Sequence, residues 1–398
     1  MKPSRILLAF DSFKGSLNSA EIAECVEETI MGINPMIMVD RCLMSDGGEG
    51  LLDTMHSVLP LQLKVITVSD PLGLDTEARF GWDPEQRLAV IESAQANGLP
   101  LVNIKNRNPL KTTAYGVGEL IRAALNLGAK TIMVGLGGSA TNDAGLSILQ
   151  ALGAQIRDYE DRLLPVITGE LLDDVCSINL NTLDERLKET KLIAACDVNN
   201  PFTGPNGATY VYGPQKGATP KRLELLETGM ENVRSVIKDQ TGIDLNEIKG
   251  AGAAGGIAGT LHALLNTELK PGIEVILQAQ HFEELAKKAD LIITGEGKSD
   301  RQTLMGKVPM GVLNVAKRFG TPTVLMSGMI ENESVMKEAG FAVTMAIKPE
   351  DESLEDAIKP GFTRINLRNA VKKSCPKLFI LIIEQCSWNP NFHNYSFV

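Results

Sequence analysis

The chain opens with a short apolar run and continues with apolar residues at helical spacing. Residues 6–10 predict a buried strand, and Ile22, Val26 and Ile30, which recur every four positions, predict one face of a helix. Asn18, with Glu21 three residues later, has the pattern of a capping box at the start of that helix. A strand, a turn and a helix in this order are typical of a parallel sheet.

The same rhythm returns towards the far end of the chain. Apolar runs there predict strands at 291–294, 323–326 and 341–347, alternating with helices at 311–319 and 334–339. The middle differs, because turns join short segments that predict strands at 64–68, 76–82 and 88–91, followed by a helix at 117–127 and a strand at 131–136.

These patterns predict an α/β protein with two α/β domains. Both chain ends, 1–69 and 290–372, are expected to build a doubly wound parallel-sheet domain, and residues 70–289 a second, mixed α/β domain inserted in it. The length of 398 residues also favours two domains over one. Residues 375–398 do not continue the pattern and are expected to form an unrelated tail.

Composition and charge argue against several classes of partner and location. A formal charge of −10 disfavours nucleic acid and acidic membrane surfaces as partners, so an anionic substrate needs locally placed lysine and arginine. The longest apolar run, 378–383, is far too short for a membrane span, and the run before Asp11 is too short for a signal peptide. The six cysteines form no CxxC pair, which favours a reducing cytoplasm and argues against a zinc site.

Two acidic, glycine-containing turns follow predicted strands. The segment Asp11-Ser12-Phe13-Lys14-Gly15-Ser16 joins the first strand to the first helix, where an open α/β sheet places its ligands. Free backbone N–H groups there favour phosphate, Lys14 adds a positive charge, and Asp11 can hold magnesium. In residues 46–50, three glycines let the backbone approach a ligand closely, and two acids, Asp46 and Glu49, face the same small space.

A glycine-rich loop at 135–145 follows an apolar strand and precedes an apolar helix, the context of a phosphate-binding loop. Its start also fits G-x-G-x-x-A, with Asp158 about 20 residues on, so a nicotinamide or flavin oxidoreductase stays an alternative. Asp143 argues against that alternative, because it would repel a pyrophosphate. A second glycine cluster at 250–256 has no clean strand before it and is better explained as a close-packed helix start that admits a nucleotide.

Polar residues suited to phosphoryl transfer follow the apolar run 192–196. Asp197, Asn199 and Lys216 belong to one long connection, which thereby offers an acid, an amide and a cation. Arg107 offers a guanidinium suited to a bidentate grip on a carboxylate. Residues 294–309 again place acids and lysines after a strand, but no Walker A pattern occurs, which disfavours a P-loop kinase. The four histidines are isolated and show no metal-ligand spacing.

Taken together and in order, these segments resemble the signature blocks of the bacterial glycerate kinases, of the glycerate 2-kinase-like type. The resemblance runs from about residue 5 to about residue 373, and it rests on eight blocks: 11–16, 46–50, 107–109, 135–143, 196–197, 213–218, 250–256 and 294–297. Mild departures occur at residues 93–97, at Ala144, where glycine is usual, and at Lys298, where arginine is common.

The resemblance implies two α/β domains, ATP with Mg²⁺ as phosphoryl donor, D-glycerate as acceptor and 2-phosphoglycerate as the favoured product. The expected site lies in the cleft between the domains and is completed when they close. The expected catalytic residues are Asp197, Lys216 and Lys14, and the expected substrate-binding residues are Arg107, Asn199 and Ser12. The expected metal ligands are Asp11, Asp46 and Asp300. The expected nucleotide-binding residues are Gly137, Gly138, Ser139, Thr141, Gly252, Gly255, Gly256 and Lys307.

In this hypothesis Lys14, Lys216 and Lys307 neutralise phosphate charge, and Arg107 binds the glycerate carboxylate. Asp197 orients or deprotonates the acceptor hydroxyl. Two alternative functions stay open: an NAD(P)-dependent oxidoreductase of a small hydroxy acid, and a carboxylate-binding protein without catalysis. No nucleic-acid or membrane partner is expected, and a homodimer is left open.

Overall fold

The computed structural model describes residues 5–44 and 50–388, with side chains described as far as Ser374 except at positions 58 and 305. Its strands are β1 (Arg5–Phe10), β2 (Met38–Arg41), β3 (Gln62–Ser69), β4 (Asp75–Asp83), β5 (Leu88–Glu92), β6 (Thr131–Gly135), β7 (Gln155–Arg157), β8 (Ser177–Asn179), β9 (Lys191–Ala195), β10 (Glu268–Lys270), β11 (Leu291–Gly295), β12 (Lys298–Ser299), β13 (Thr323–Ser327), β14 (Met329–Ile330) and β15 (Val343–Ala346).

Its α-helices are α1 (Ser19–Ile33), α2 (Leu51–Val58), α3 (Ala94–Asn97), α4 (Tyr115–Asn126), α5 (Leu146–Ala151), α6 (Ala208–Tyr212), α7 (Pro220–Thr241), α8 (Ile257–Leu265), α9 (Gly272–Ala279), α10 (Phe282–Lys288), α11 (Val308–Phe319), α12 (Glu333–Ala339), α13 (Leu354–Ala357) and α14 (Pro360–Trp388). No helix among the described residues is long and apolar enough to cross a membrane.

The chain divides into two compact units. The first unit joins the two chain ends, Met1–Asp46 and Ile273–Val398, and the second unit is Gly47–Gly272. Sequence patterns placed the divisions later, at 69/70 and 289/290. The difference at the first division has a physical reason, because β3 pairs along its whole length with β4 in the sheet of the second unit.

The first unit contains a five-stranded sheet in the order β15-β13-β11-β1-β2, and all its pairs are parallel. On one face, Ile22 and Val26 of α1 and Leu367 of α14 pack with strand residues in one buried cluster. On the other face, Leu313 of α11 packs with Leu325 of β13. Helices on both faces of a parallel sheet make this unit doubly wound.

The second unit contains a six-stranded mixed sheet in the order β10-β9-β6-β5-β4-β3. The four strands from β10 to β5 are parallel, and β4 and β3 add antiparallel pairs at the other side. Its largest buried cluster includes Ile91 and Val134 on the strands, Leu120 on α4 and Ile257 on α8. The expected fold class is confirmed: one doubly wound parallel unit made of both chain ends, and one mixed α/β unit inserted in it.

Two details bear on the local predictions. The capping box at the start of α1 is confirmed, because Asn18 Oδ1 accepts from Glu21 N at 2.9 Å and Glu21 Oε2 accepts from Asn18 N at 3.0 Å. At the other end, α14 runs from Pro360 to Trp388 and therefore continues past position 375, where the tail was expected to begin.

Candidate active site

A cavity of about 340 Å³ lies in the first unit, at the carboxyl ends of its parallel strands. An open α/β sheet binds its ligands at this edge. The walls come from the turns after β1, β11, β13 and β15, from the start of α11, and from α13 and α14. The lining residues are Asp11, Ser12, Phe13, Lys14, Ser16, Glu296, Gly297, Lys298, Lys307, Gly328, Met329, Ile347, Lys348, Leu354, Ala357, Ile358, Thr363 and Asn366.

The lining combines positive charge with an apolar wall. Its four lysines are Lys14, Lys298, Lys307 and Lys348. The apolar side includes Leu354 and Ile358, which are 56% and 43% exposed although they are aliphatic. Cations beside an uncovered apolar surface suit a ligand with an anionic part and an apolar part.

The turn after β1 is held rigidly beside this cavity. The carboxylate Oδ1 of Asp11 accepts from the backbone N–H of Ser12 at 2.7 Å, and Asp11 is only 5% exposed. The hydroxyl of Ser16 lies 2.6 Å from that of Thr363 on α14, which joins the turn to the opposite wall. The turn therefore presents Ser12 and Lys14 to the cavity on a fixed backbone.

A second carboxylate, Glu296, lies directly after β11. Phe10 pairs with Gly295 in the sheet, so Asp11 and Glu296, one position further on, leave the sheet at the same edge. Glu296 is 5% exposed and accepts from Ser299 Oγ at 3.1 Å and from Thr303 Oγ1. Burial raises the pKa of Glu296, while Thr303 and the ammonium of Lys307, 3.8 Å away, act in the opposite direction.

Asp300 is mainly part of a turn. Its Oδ1 accepts from Gln302 N at 2.8 Å, and its own N–H donates to Thr303 Oγ1 at 2.9 Å. Thr303 also donates a hydrogen bond to Glu296, so Thr303 links Asp300 to the carboxylate that lines the cavity. In the described part of the chain, no group of three or more His, Cys, Asp and Glu side chains is arranged as a metal cluster. Magnesium commonly needs only one or two carboxylates, together with substrate phosphates.

In the second unit, the glycine-rich loop after β6 is supported from below by Lys216. The ammonium of Lys216 donates to Ser139 Oγ at 3.1 Å and to the carbonyl oxygen of Thr141 at 2.6 Å, and the residue is 2% exposed. Burial lowers the pKa of Lys216 to about 8, and the Asp143 carboxylate opposes that change. A buried lysine with two oxygen partners fixes the conformation of the loop.

Asp143 anchors the other end of the same loop. It is fully buried, and it accepts from Ala114 N at 2.8 Å, from Gly145 N at 3.1 Å and from Ser147 Oγ. Burial is the main cause that raises the pKa of Asp143. Directly before Ser139, Gly138 is exposed and has a φ of 66°, so this part of the loop stays open to a ligand.

Two buried amides, Asn97 beside the loop and Asn142 within it, have polar atoms that the described residues leave without a hydrogen bond. Asn97 donates from Nδ2 to Thr141 Oγ1 at 3.3 Å, but its Oδ1 has no partner among them. Both amide atoms of Asn142 are buried without a partner among these residues. Unpaired buried polar atoms are rare in native proteins and indicate ordered water or a ligand.

The second glycine cluster packs directly on the first. A side chain at Gly255 would lie 2.2 Å from the carbonyl oxygen of Thr141, and one at Gly252 would lie 2.3 Å from that of Pro201. A side chain at Gly256 would meet the ring of Phe202 at 2.7 Å. Only glycine allows these approaches, so the three glycines are required for packing between loops.

Comparison with known proteins identifies the family. A family model described as the glycerate kinase family matches residues 6–375. The chain is 41% identical over 356 residues to a glycerate kinase of Bacillus subtilis (strain 168), covering 89% of this chain and 93% of that protein. This chain belongs to the glycerate kinase family.

Two further relatives agree with this result. A glycerate 2-kinase of Escherichia coli (strain K12) is 38% identical over 362 residues, which cover 91% of this chain and 95% of that protein. The crystal structure of a protein assigned as glycerate kinase 2 from Salmonella typhimurium LT2 has a TM-score of 0.82 at 38% identity, covering 95% of this chain and 98% of that one. The chain is thus an enzyme, a phosphotransferase with an alcohol group as acceptor, as the resemblance implied.

The structure divides the predicted site residues of this glycerate kinase into two groups. In the first unit, the cavity collects Asp11, Ser12, Lys14 and Lys307, and Asp300 lies behind it. Asp46 lies outside the described residues. In the second unit, Lys216, Ser139 and Thr141 meet, while Arg107 packs against the turn that carries Lys216, since a side chain at Gly217 would lie 2.3 Å from its carbonyl oxygen.

Asp197 and Asn199 of this glycerate kinase follow β9, which pairs in parallel with β6, so their segment leaves the sheet at the same edge as the glycine-rich loop. Asp197 Oδ1 accepts from Gly272 N at 2.8 Å, and Asn199 is exposed. Their segment contacts the second glycine cluster, because a side chain at Gly250 would lie 2.7 Å from the carbonyl oxygen of Val198. Arg107 itself donates from Nε to Val102 O at 3.4 Å.

The geometry argues against the alternative in which the glycine-rich loop of this glycerate kinase binds a dinucleotide and Asp158 binds its ribose. Asp158 follows β7, which pairs with β8 in a small sheet separate from that of β6. Its carboxylate accepts from Arg162 Nε at 2.8 Å, and hydrogen bonds with Arg162 lower its pKa. A ribose-binding acid would instead follow a strand of the same parallel sheet as the glycine loop.

Proposed function

We propose that this glycerate kinase transfers the γ-phosphoryl group of ATP, with Mg²⁺, to the C2 hydroxyl of D-glycerate and releases ADP and 2-phosphoglycerate. The main support is the cavity in the first unit, where four lysines lie beside an uncovered apolar wall. The product follows the glycerate 2-kinase of Escherichia coli, to which the chain is 38% identical.

The donor nucleotide occupies this cavity. Lys14 and Lys307 neutralise phosphate oxygens, and the first turn of α11, with Lys307 at its N-cap, adds backbone N–H groups that have no acceptor within the helix. The nucleobase covers Leu354 and Ile358. This places the base in the first unit, whereas the sequence patterns assigned the nucleotide mainly to the glycine-rich loops.

The donor set of the cavity fits magnesium. Asp11 and Glu296 supply carboxylate oxygens at adjacent strand ends, and oxygen is the ligand that this hard cation prefers. Asp300 supports the same position through Thr303. Asp11 and Glu296 would hold the ion, which would supply positive charge to neutralise the nucleotide phosphates when bound.

The second unit supplies the acceptor side. Lys216 fixes the glycine-rich loop and places a positive charge beneath it, and Arg107 binds the glycerate carboxylate. Asp197 takes the proton of the attacking C2 hydroxyl of glycerate. The oxygen of that hydroxyl forms a bond to the γ-phosphorus, and the bond between this phosphorus and the ADP oxygen breaks. Gly255 packs against this loop at Thr141, and Gly252 and Gly256 pack against Pro201 and Phe202.

A coupled assay of ADP release with D-glycerate, with and without Mg²⁺, tests the proposal. We expect turnover that depends on both, and phosphorus NMR of the product should show phosphate on C2. Nicotinamide-linked turnover without magnesium would support the oxidoreductase, and glycerate binding without ADP release would support a non-catalytic protein. Phosphate on C3 would overturn the proposed position of transfer. The cytoplasmic location and the homodimer stay predictions.

A further inference from the structure

One polar side chain in the apolar part of the cavity has a fixed orientation. Asn366, on α14, lines the cavity and is 5% exposed. Its Nδ2 donates to the Glu352 carboxylate oxygen Oε2 at 2.5 Å. An ionised carboxylate only accepts hydrogen bonds, so Glu352 holds the NH₂ group on its own side and excludes the flipped amide.

The amide oxygen of Asn366 is therefore the group left for a ligand. Among the described residues, no donor forms a hydrogen bond with Asn366 Oδ1. The other polar side chain that α14 contributes to the lining, Thr363, is already used, because it is bonded to Ser16 and donates to the carbonyl oxygen of Ala357 at 2.7 Å. The cavity thus offers one acceptor with a fixed direction on this wall.

The surroundings of that acceptor suit a planar heterocycle. Leu354, Ala357 and Ile358 lie just before it in the chain, and Ile347, directly after β15, lines the same cavity. A base that covers these residues removes apolar surface from water, which is favourable. Its polar edge also leaves water and then needs a hydrogen-bond partner in the protein. At the position where adenine carries an amino donor, guanine carries a carbonyl acceptor.

We propose that Asn366, oriented by Glu352, accepts a hydrogen bond from the exocyclic amino group of adenine and makes the enzyme select ATP over GTP. This inference rests on the proposed function, which places the nucleotide in this cavity. With GTP, two acceptor oxygens face each other and neither is satisfied. A site that hydrogen-bonds one ligand group discriminates against an analogue that lacks it.

The test compares kcat/KM for ATP and GTP in the wild type, Glu352→Gln and Asn366→Leu. We expect the wild type to prefer ATP by about 10-fold or more, the cost of one unpaired buried group. Glu352→Gln lets the amide of Asn366 turn either way, so the preference should fall several-fold towards unity. Asn366→Leu removes the acceptor and should also lower the ratio, mainly by weakening ATP.

Glu355→Gln is the matched control, because it makes the same charge change at an exposed position on α13. It should keep the wild-type ratio, and the KM for D-glycerate should not change in any variant. If Asn366→Leu fails to fold, Glu352→Gln and calorimetric binding of ADP against GDP still decide the question.

Two failures are distinguishable. If the wild type shows no phosphorylation of D-glycerate by either nucleotide, the proposed function is wrong. If it phosphorylates D-glycerate but uses ATP and GTP equally, or if both variants keep the wild-type ratio, the assignment of Asn366 is wrong and the proposed function stands.

Discussion

The ammonium of Lys216 donates a 2.6 Å hydrogen bond to the carbonyl oxygen of Thr141, 75 positions earlier in the chain. This bond joins the turn after α6 to the glycine-rich loop after β6, at a depth where Lys216 is 2% exposed. Burying an ammonium group costs free energy of desolvation, which only well-placed hydrogen-bond acceptors offset. The conformation of the loop therefore depends on the side chain of Lys216.

We therefore expect Lys216→Met to lower kcat far more than it raises either KM. A loose phosphoryl-transfer transition state spreads negative charge over the transferring group, so a nearby cation stabilises it more than the bound substrates. A fall of about 10²-fold corresponds to about 2.7 kcal/mol of lost transition-state stabilisation. Steady-state kinetics with both substrates varied gives the three constants.

Lys221→Met is the matched control, since this lysine is exposed at the start of α7, five positions away. Its kinetics should equal those of the wild type. If Lys216→Met instead raises the KM for glycerate while kcat holds, Lys216 binds the substrate carboxylate and the role of Arg107 must be reassigned. A folded Lys216→Met enzyme with wild-type kinetics would falsify both roles.

The buried lysine also makes a prediction about pH and stability. The pKa of Lys216 is about 8 in the folded enzyme and the ordinary value is 10.5 in the unfolded chain. Between these two values the unfolded chain binds more protons, so the free energy of unfolding rises with pH. Below about pH 8 both states are protonated and this contribution has no slope.

The measurement is the difference in free energy of unfolding between the wild type and Lys216→Met, from denaturant titrations at pH 7.5, 9 and 10. The difference should shift in favour of the wild type by roughly 2 kcal/mol across this range. Subtracting the variant removes the other groups that titrate in this range. A constant difference would show that Lys216 keeps its ordinary pKa.

The sequence predicted the strands and the loops after them, but not which side chain of a loop faces inward. Residues 294–302 show two acids after an apolar strand, and the pattern favoured Asp300 as the metal ligand. Only the register, with Phe10 opposite Gly295, places Glu296 beside Asp11 and leaves Asp300 in a turn. Register between strands almost 300 positions apart has no local signal.

The same limit explains the other differences. Lys216 lies in a polar segment typical of an exposed loop, and its burial depends on a partner from a distant strand. For the glycines 252 and 255 the close packing expected from the sequence is present, while their contact with a nucleotide stays a prediction. Asn366 and Glu352 belong to no motif, because their pairing arises only when the segment before α13 packs against α14.

We expect Glu296→Gln to raise the magnesium concentration needed for half-maximal activity, and to do so more than Asp300→Asn. A neutral amide is a weaker ligand for a hard cation than a carboxylate, and Glu296 lines the cavity whereas Asp300 supports it. Magnesium titrations of activity at saturating nucleotide compare both variants with Glu338→Gln, an exposed control on α12. Equal effects of the two variants would contradict the difference proposed between Glu296 and Asp300, and no effect of Glu296→Gln would remove Glu296 from the metal site.

The last prediction concerns the end of the chain. The match to the glycerate kinase family ends at residue 375, and the part of α14 before it is firmly packed. Leu367 and Val371 are fully buried against the sheet, and Arg364 forms an ion pair with Glu21 on α1 at 2.7 Å. These contacts lie before Ser374, so they survive a truncation made directly after it.

We therefore expect a chain that ends at Ser374 to keep nearly wild-type activity and to melt within a few degrees of the full chain. Leu367→Ala in the full chain is the contrasting variant, because deleting a buried leucine side chain costs about 2–5 kcal/mol and should lower the melting temperature clearly. Thermal unfolding and the coupled assay are measured on both proteins. A truncated enzyme that melts as low as Leu367→Ala would mean that residues after 374 contribute to the stability of the first unit, contrary to the tail predicted from the sequence.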